Sequence, residues 1–99
     1  MEKKEKLKKD FDLIIKLISP ELRSDIVSIV IYGSYGRNEG AFYEKNGKIF
    51  TYNDYDILLV VSSVISHEEL LNLKYTLTQK IDVRWIDISQ MANGKLVEL

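Results

Sequence analysis

The sequence of 99 residues contains no cysteine, one histidine and one proline. The absence of cysteine excludes disulfides, thiolate nucleophiles and cysteine-based zinc sites, and a single histidine cannot form a cluster of imidazole ligands. Any metal site in this chain must therefore be built from oxygen ligands. The length predicts one domain over residues 1–99, with a single modest core.

Long apolar runs and an excess of charge of one sign are also absent. No apolar stretch approaches the roughly 20 residues that cross a bilayer, and no apolar signal core follows the charged N-terminus. We therefore expect a cytoplasmic protein without membrane contact. The net charge of −1 provides no domain-wide basic field. We expect no binding of polymeric nucleic acid, although one local site can still hold a nucleotide.

The residues that are present are typical of a globular fold, with 45% hydrophobic and 29% charged side chains. Apolar residues recur at helical spacing from Leu7 to Ile18, which predicts an N-terminal helix within residues 1–20 that ends before Pro20. The β-branched run at residues 25–32 predicts a first central strand, buried on both faces.

The rest of the chain alternates between strand and helix signals. Asn46-Gly47 is a strong signal for a type I′ turn and predicts a β-hairpin over residues 41–52. Tyr55–Val61 predicts a second central strand, and residues 81–88 predict a third. This order indicates an α/β (α+β) fold, with a small mixed central sheet flanked by helices and the hairpin as an insertion.

Capping signals locate two further helix ends. Ser66 and Glu69 form a capping box for a helix that runs to about Gln79. Asp87 or Ser89 is expected to cap a last short helix near the end of the chain.

Two carboxylates stand two residues apart where the second central strand begins. The strand period of two points Asp54 and Asp56 to the same side. Close acids repel each other and raise the pKa of one of them unless a cation lies between them, and Mg²⁺ suits carboxylate oxygens. An isolated Asp-x-Asp at the end of a strand is also common as a turn cap, so a second motif is needed to decide.

Gly33-Ser34 directly follows the first central strand and provides that second motif. Two glycines close behind a strand, Gly33 and Gly36, predict a tight turn into a short helix. Such a turn offers backbone N–H groups and the Ser34 hydroxyl to a phosphate.

Three segments belong together: Ile29-Val30-Ile31-Tyr32-Gly33-Ser34, Gly36-Arg37-Asn38-Glu39-Gly40 and Asp54-Tyr55-Asp56-Ile57-Leu58-Leu59-Val60. In combination they resemble the signature of the DNA polymerase beta-like nucleotidyltransferase superfamily, particularly its minimal bacterial and archaeal members. The resemblance implies a nucleotidyltransferase-like fold. It also implies an enzyme that moves a nucleoside monophosphate from a nucleoside triphosphate, with ATP the expected donor, to a hydroxyl acceptor and releases pyrophosphate.

The same resemblance implies roles for individual residues. Gly33 and Ser34 hold the triphosphate. Arg37 is a candidate for a phosphate contact, and a structural ion pair is an equally good explanation of this arginine. Asp54 and Asp56 bind two Mg²⁺ or Mn²⁺ ions. A third carboxylate on a later strand binds the metal that activates the attacking hydroxyl.

Asp82 and Asp87 are the candidates for this third acid. They lie an odd number of residues apart, so a regular strand points them to opposite faces and at most one joins the site. We favour Asp82, whose setting resembles the family's single acid within an apolar strand, and interpret Asp87 as a helix cap. Arg84 is a candidate for a phosphate contact or an ion pair. Tyr35 is the aromatic residue expected to stack on a base, whereas Trp85 is expected to fill the core.

Two departures from the family pattern bear on partners. The hairpin lengthens the spacing between Ser34 and Asp54, and the sequence ends soon after the third strand, before the helical region that many relatives use for base and acceptor. A partner chain resembling a helical toxin, a homodimer or further sequence would complete the acceptor site. The alternative function is a non-catalytic nucleotide-binding or regulatory module that needs a partner chain. A purely structural role for the acids is the third interpretation.

Overall fold

The computed structural model describes residues 3–18, 20–37 and 40–97. Asn38 and Glu39, from the glycine-rich segment, lie outside the described residues. None of the helices in the described ranges is both long and apolar enough to cross a membrane. The mixed content confirms the predicted α+β class. The elements are α1 (Lys3–Leu17), α2 (Pro20–Arg23), β1 (Ile26–Tyr32), α3 (Gly33–Gly36), β2 (Phe42–Lys45), β3 (Lys48–Thr51), β4 (Tyr55–Val61), α4 (His67–Lys80), β5 (Ile86–Ala92) and β6 (Lys95–Leu96).

Four strands form one mixed sheet in the order β1-β4-β5-β6. β4 pairs with β1 in the antiparallel sense and with β5 in the parallel sense, and β6 pairs antiparallel with β5. Parallel neighbours need a crossover connection, which α4 provides between β4 and β5. The register places Tyr32 opposite Asp56 and Asp56 opposite Asp87, so these three side chains share one face of the sheet.

The two faces of the sheet differ in burial, and the central strand β4 shows the difference most clearly. Its residues alternate between buried and half-buried along their whole length. The buried face packs against α1 and α4. Its members from β4 are Tyr55, Ile57, Leu59 and Val61, and their partners in the core include Ile14 of α1, Ile18 directly after α1, and Leu70, Leu73 and Leu77 of α4. The opposite face carries Tyr32, Asp56 and Asp87.

The prediction that the first central strand is buried on both faces is wrong. β1 lies at the edge of the sheet as described, with β4 as its strand neighbour on one side. Val27 is 71% exposed and Val30 is 40% exposed. The β-branched composition of this strand therefore reflects strand propensity and one packed face, rather than enclosure on both.

The hairpin prediction is confirmed, since β2 and β3 form their own two-stranded antiparallel sheet. Asn46 and Gly47 take positive φ angles of 53° and 77°, as a type I′ turn requires. Tyr35, in α3, fastens the base of the hairpin. Its hydroxyl donates to the Ala41 carbonyl oxygen at 2.6 Å and accepts from the Asn53 N–H at 3.2 Å.

The capping box is also confirmed, because the Ser66 hydroxyl accepts from the Glu69 N–H at 3.2 Å at the start of α4. The predicted third strand is wrong in its position. The Ile81 N–H still bonds to the Leu77 carbonyl and closes α4. Residues 82–85 then lead back from the end of α4 to the start of β4. Pairing of β5 with β4 therefore begins only at Ile86, which lies opposite Tyr55.

The predicted last helix is likewise wrong. Asp87 and Ser89 lie inside β5 and cap nothing helical. Asn93 and Gly94, with φ angles of 54° and 76°, form instead a second tight turn that leads into β6.

A buried polar chain links α1 to the first residue of β4. The Tyr55 hydroxyl donates to Asp10 Oδ2 at 2.6 Å, and Lys6 Nζ lies 2.6 Å from the same oxygen. All three residues are buried. Burial first, and then the hydrogen bond to the Asp10 carboxylate, raise the pKa of Tyr55, so its hydroxyl stays protonated and keeps donating. These buried contacts between Lys6, Asp10 and Tyr55 fix the position of β4 immediately before Asp56.

Removing the shared carboxylate should destabilise the protein strongly. Asp10→Asn leaves the Lys6 ammonium buried without its counter-charge, which costs about 3–5 kcal/mol, whereas Tyr55→Phe removes one hydrogen bond to a charged group and costs about 1.5–3 kcal/mol. Urea unfolding measures both. The matched control Asp12→Asn alters an exposed acid of the same helix and should stay within about 0.5 kcal/mol of wild type. Equal effects of Asp10→Asn and Asp12→Asn would contradict the buried pair.

Candidate functional site

The candidate site lies at the end of the sheet where β1 ends and β4 and β5 begin. Here an open cleft of about 270 Å³ is lined by Ser34, Asn53, Asp54, Asp56 and Arg84. The predicted residues Ser34, Asp54 and Asp56 therefore share one cleft. They arrive from two elements, the turn after β1 and the start of β4, which the antiparallel pairing of those strands brings together.

Gly33 allows the turn to approach the acids closely. Its φ of 69° lies in the left-handed region, where a side chain is strained. A Cβ atom built on Gly33 would overlap Asp56 Oδ2, so the carboxylate packs directly against the backbone of the turn. The glycine is thus required both by its backbone conformation and by the space that Asp56 occupies.

The Asp56 carboxylate is the electrostatic centre of the site. Burial raises its pKa above the ordinary value, and the negative charges of Asp87 and then of Asp54 raise it further. The charge of Arg37 acts in the opposite direction and lowers it. Arg37, an exposed residue that follows α3, is therefore close enough to the acids to stabilise their negative charge. The carboxylates repel one another, as expected for a site that binds a cation.

Asp87, rather than Asp82, stands beside Asp56. In the parallel register Asp87 is the direct cross-strand partner of Asp56. Asp82 is an exposed residue of the loop before β5, and its carbonyl oxygen accepts from Lys6 Nζ at 3.0 Å. It lines a separate cavity of about 310 Å³ together with lysines of α1 and α4. Asp82 is favoured by its resemblance to the family's acid within an apolar strand, but the structure places it in the loop between α4 and β5.

Arg84, predicted from the sequence to make a phosphate contact or an ion pair, supplies a cation to the cleft. Its N–H donates to Thr51 Oγ1 at 3.0 Å, and one guanidinium nitrogen donates to the Tyr52 carbonyl oxygen at 3.2 Å. A guanidinium carries five N–H donors, so Arg84 keeps donors for an anionic ligand. The return path of residues 82–85, rather than the predicted strand, brings this arginine to the acids.

The two aromatic predictions are wrong, because Tyr35 is buried and Trp85 is exposed. Tyr35 is only 4% exposed and packs edge-to-face on Tyr55, with ring centroids 5.0 Å apart, so it cannot stack on a base. Trp85 is 47% exposed, with Lys74 Nζ 4.5 Å from its ring centroid. Lys74 Nζ also lies 3.9 Å from Asp87 Oδ1. Trp85 therefore stands near the acids instead of in the core.

The donor set determines which metal could be held here. Asp54, Asp56 and Asp87 offer only carboxylate oxygens, which suit Mg²⁺ or Mn²⁺. Within residues 3–18, 20–37 and 40–97, no three acidic or histidine side chains converge tightly enough to hold an ion by themselves. Mg²⁺ usually binds through one or two carboxylates, with waters and substrate phosphates completing its shell. The residues therefore fit an ion that enters with a phosphate ligand.

Neutralising Asp56 should stabilise the fold at neutral pH. The folded-state pKa of Asp56 is raised, so its contribution to stability is present below the unfolded pKa of about 3.9 and is lost as the pH rises through the folded value. Asp56→Asn should therefore raise the Tm at pH 7. Repulsion among partly solvated charges is worth at most about 1 kcal/mol, or a rise of about 4–8 °C.

Thermal unfolding followed across pH in metal-free buffer measures this effect. The gain from Asp56→Asn should shrink as the pH falls towards 3, where wild-type Asp56 is itself protonated. Asp12→Asn, at an exposed acid outside the cleft, is the matched control. A variant that is less stable than wild type at pH 7, or a gain independent of pH, would contradict the repulsion.

Compared with known proteins, the chain matches no family model, no curated protein and no solved structure. The resemblance to nucleotidyltransferases therefore lies in the turn Gly33-Ser34 and the acids Asp54 and Asp56 themselves. Because one fold serves many functions, any functional conclusion rests on these residues and their geometry.

Proposed function

We propose that this chain is a metal-dependent nucleotidyltransferase. It would transfer a nucleoside monophosphate from a nucleoside triphosphate, ATP in the first instance, to a hydroxyl acceptor and release pyrophosphate. The observation that supports this most is the register that sets Asp56 beside Asp87, with Asp54 and Ser34 in the same cleft. Triphosphates and Mg²⁺ are abundant in the cytoplasm, which is the location the proposal implies.

The cleft offers matched contacts for the two charged parts of such a reaction. Ser34 and the backbone of the Gly33 turn would receive the β- and γ-phosphates, and Arg37 and Arg84 would balance their negative charge. Asp54, Asp56 and Asp87 would hold Mg²⁺, which supplies charge neutralisation for the attacking and leaving oxygens. These roles require positioning and charge rather than a covalent nucleophile, in keeping with a chain that has no cysteine.

The chemical step balances with the groups present. The acceptor oxygen forms a bond to the α-phosphorus while the bond from that phosphorus to the α–β bridging oxygen breaks. Pyrophosphate leaves with the electrons of the broken bond. The hydroxyl proton would pass to a carboxylate oxygen of the cleft or to water, and Mg²⁺ bound by Asp54, Asp56 and Asp87 would favour loss of this proton by supplying positive charge beside the acceptor oxygen.

A second function is favoured by one specific observation. No three acids within the described part of the chain already converge on a single ion position. A module that binds a nucleotide without turning it over, and needs a partner chain such as a helical toxin-like protein or a second copy to complete its site, would also have this arrangement. Binding without pyrophosphate release distinguishes this regulatory module from an enzyme.

Metal-dependent nucleotide binding should be lost when the acid pair is neutralised. Trp85 is the only tryptophan and lies near Asp87, so its fluorescence should report ligands in the cleft. We expect ATP to quench it only with Mg²⁺ or Mn²⁺, and expect Asp54→Asn combined with Asp56→Asn to abolish the response. The matched control neutralises two exposed acids elsewhere, Asp12→Asn and Glu68→Gln, and should bind as wild type.

Pyrophosphate release measured on the same samples separates the two functions. Release that requires Asp54 and Asp56 supports transfer, with water or added glycerol tested as the surrogate hydroxyl acceptor. Binding without release supports the regulatory module. A folded wild-type protein that binds no triphosphate with either metal would contradict both.

The third acid can be identified by comparing two single substitutions. Asp87 neighbours Asp56, whereas Asp82 lies in another cavity. Asp87→Asn should therefore lower metal-dependent binding or turnover by about 100-fold or more, the scale of a lost transition-state contact, while Asp82→Asn should change it by less than about threefold. The opposite ranking would mean that the loop at residues 82–85 rearranges to bring Asp82 to the metal.

A further inference from the structure

The hairpin carries an exposed surface that the acid cleft does not use. Two of the four cross-strand pairs of the hairpin lie on this surface, Tyr43 with Phe50 and Lys45 with Lys48. Because side chains alternate along a strand, all four point to the same side of the two-stranded sheet. Tyr52 follows on the same side, where its N–H bonds to the Ala41 carbonyl at the base of the hairpin. This outer face of the hairpin consists of Tyr43, Lys45, Lys48, Phe50 and Tyr52.

The aromatic rings on this face form a contiguous set. Tyr43 stacks on Phe50 with centroids 5.6 Å apart and an interplanar angle of 21°, and it meets Tyr52 at 4.6 Å. Tyr43 is 37% exposed and Tyr52 is 55% exposed. One cross-strand aromatic pair accounts for stabilisation of a short hairpin, but Tyr52 lies beyond the end of β3 and is the most exposed of the three. The set therefore presents more aromatic surface than the hairpin itself needs.

The opposite face of the hairpin already anchors it to the domain. Phe42 packs on Tyr35 with ring centroids 5.1 Å apart, and Thr51 is 1% exposed. Because the inner face makes these contacts, the outer aromatics are free to contact something else. Exposed aromatic clusters of this kind commonly mark binding sites.

The charge of the outer face is positive although the chain as a whole is not. Lys45 and Lys48 are exposed beside the rings, whereas Glu44 points to the other face. Lys48 also borders a cavity whose lining mixes both signs, with Lys9 and Lys80 beside Glu44 and Asp82, so the positive charge that bears on the rings is that of Lys45 and Lys48. The net charge of −1 averages over this local asymmetry, so the expectation that the chain binds no polymeric nucleic acid, which rests on net charge, does not extend to this face.

We propose that the outer face of the hairpin binds the unpaired nucleotides of a single-stranded nucleic acid. Bases stack on Tyr43, Phe50 and Tyr52, and the phosphates contact Lys45 and Lys48. Stacking on aromatic side chains beside a basic surface is how proteins hold single strands without reading their sequence. A duplex buries its base faces and cannot stack in this way. The site is separate from the acid cleft and does not require the chain to transfer nucleotides.

The test is fluorescence anisotropy of a short labelled oligouridylate with the full chain at low salt. Tyr43→Thr and Tyr52→Thr keep strand propensity while removing the rings, and each should weaken binding about 5- to 150-fold. Lys45→Gln should reduce the slope of log affinity against log salt concentration by about 0.7. The matched controls lie elsewhere on the surface and should bind as wild type: Tyr75→Ala and the pair Lys16→Gln with Lys95→Gln.

Each outcome decides the proposal. The proposal is supported if only the hairpin variants lose affinity for the oligouridylate and if the wild-type protein binds an RNA duplex more weakly than the single strand. Equal loss with the control lysines, equal binding of a polyglutamate peptide, or no binding to a folded protein would overturn it. Concentration-dependent self-association that the two tyrosine substitutions abolish would overturn it in favour of a second copy. Asp54→Asn with Asp56→Asn should bind the oligonucleotide normally, so failure of the nucleotidyltransferase proposal does not produce the same result.

Discussion

The register of β4 between its two neighbours is the constraint on which the site depends. Antiparallel pairing with β1 sets Asp56 against Tyr32 and the Gly33 turn, and parallel pairing with β5 sets it against Asp87. A slip of one residue in either pairing would move Asp56 to the buried face among the core side chains. The same hydrogen bonds that build the sheet therefore bring Asp56, Asp87 and the Gly33 turn to one end of it.

Placing several acids close together lowers the stability of the fold, and contacts from other elements hold the backbone next to these acids. Burial, together with repulsion from Asp87 and Asp54, raises the pKa of Asp56, which is the residue directly after Tyr55. Tyr55 in turn is held by the buried carboxylate of Asp10 and the ammonium of Lys6. On the other flank, Tyr35 holds Asn53, so the backbone on both sides of Asp54 is fixed by side chains from other elements.

Local chemistry was predictable from the sequence, and long-range placement was not. The turn at Asn46-Gly47 and the cap at Ser66 depend on neighbouring residues, and both formed as expected. The prediction of the third strand is wrong because Ile81, Val83 and Trp85 alternate with polar residues as in a strand. In the structure Ile81 closes α4, and Val83 and Trp85 lie in the segment that leads back to the sheet. That error misplaced Asp82, Asp87 and Trp85 together. The turn at Asn93-Gly94 carries the same Asn-Gly signal as the first hairpin, and this signal agrees with the structure where the expected helix cap at Asp87 or Ser89 does not.

The most direct test of the central claim is to locate the bound ion relative to the two sheet neighbours of β4. Mn²⁺ added with a non-hydrolysable triphosphate broadens the amide NMR signals of nearby residues in the isotope-labelled protein. We predict that the signals of Ser34, Asp56 and Asp87 disappear first, while those of Asp10 and Asp82 persist. Broadening centred on Asp82 and the lysine-lined cavity, or no selective broadening, would contradict the assignment of the site.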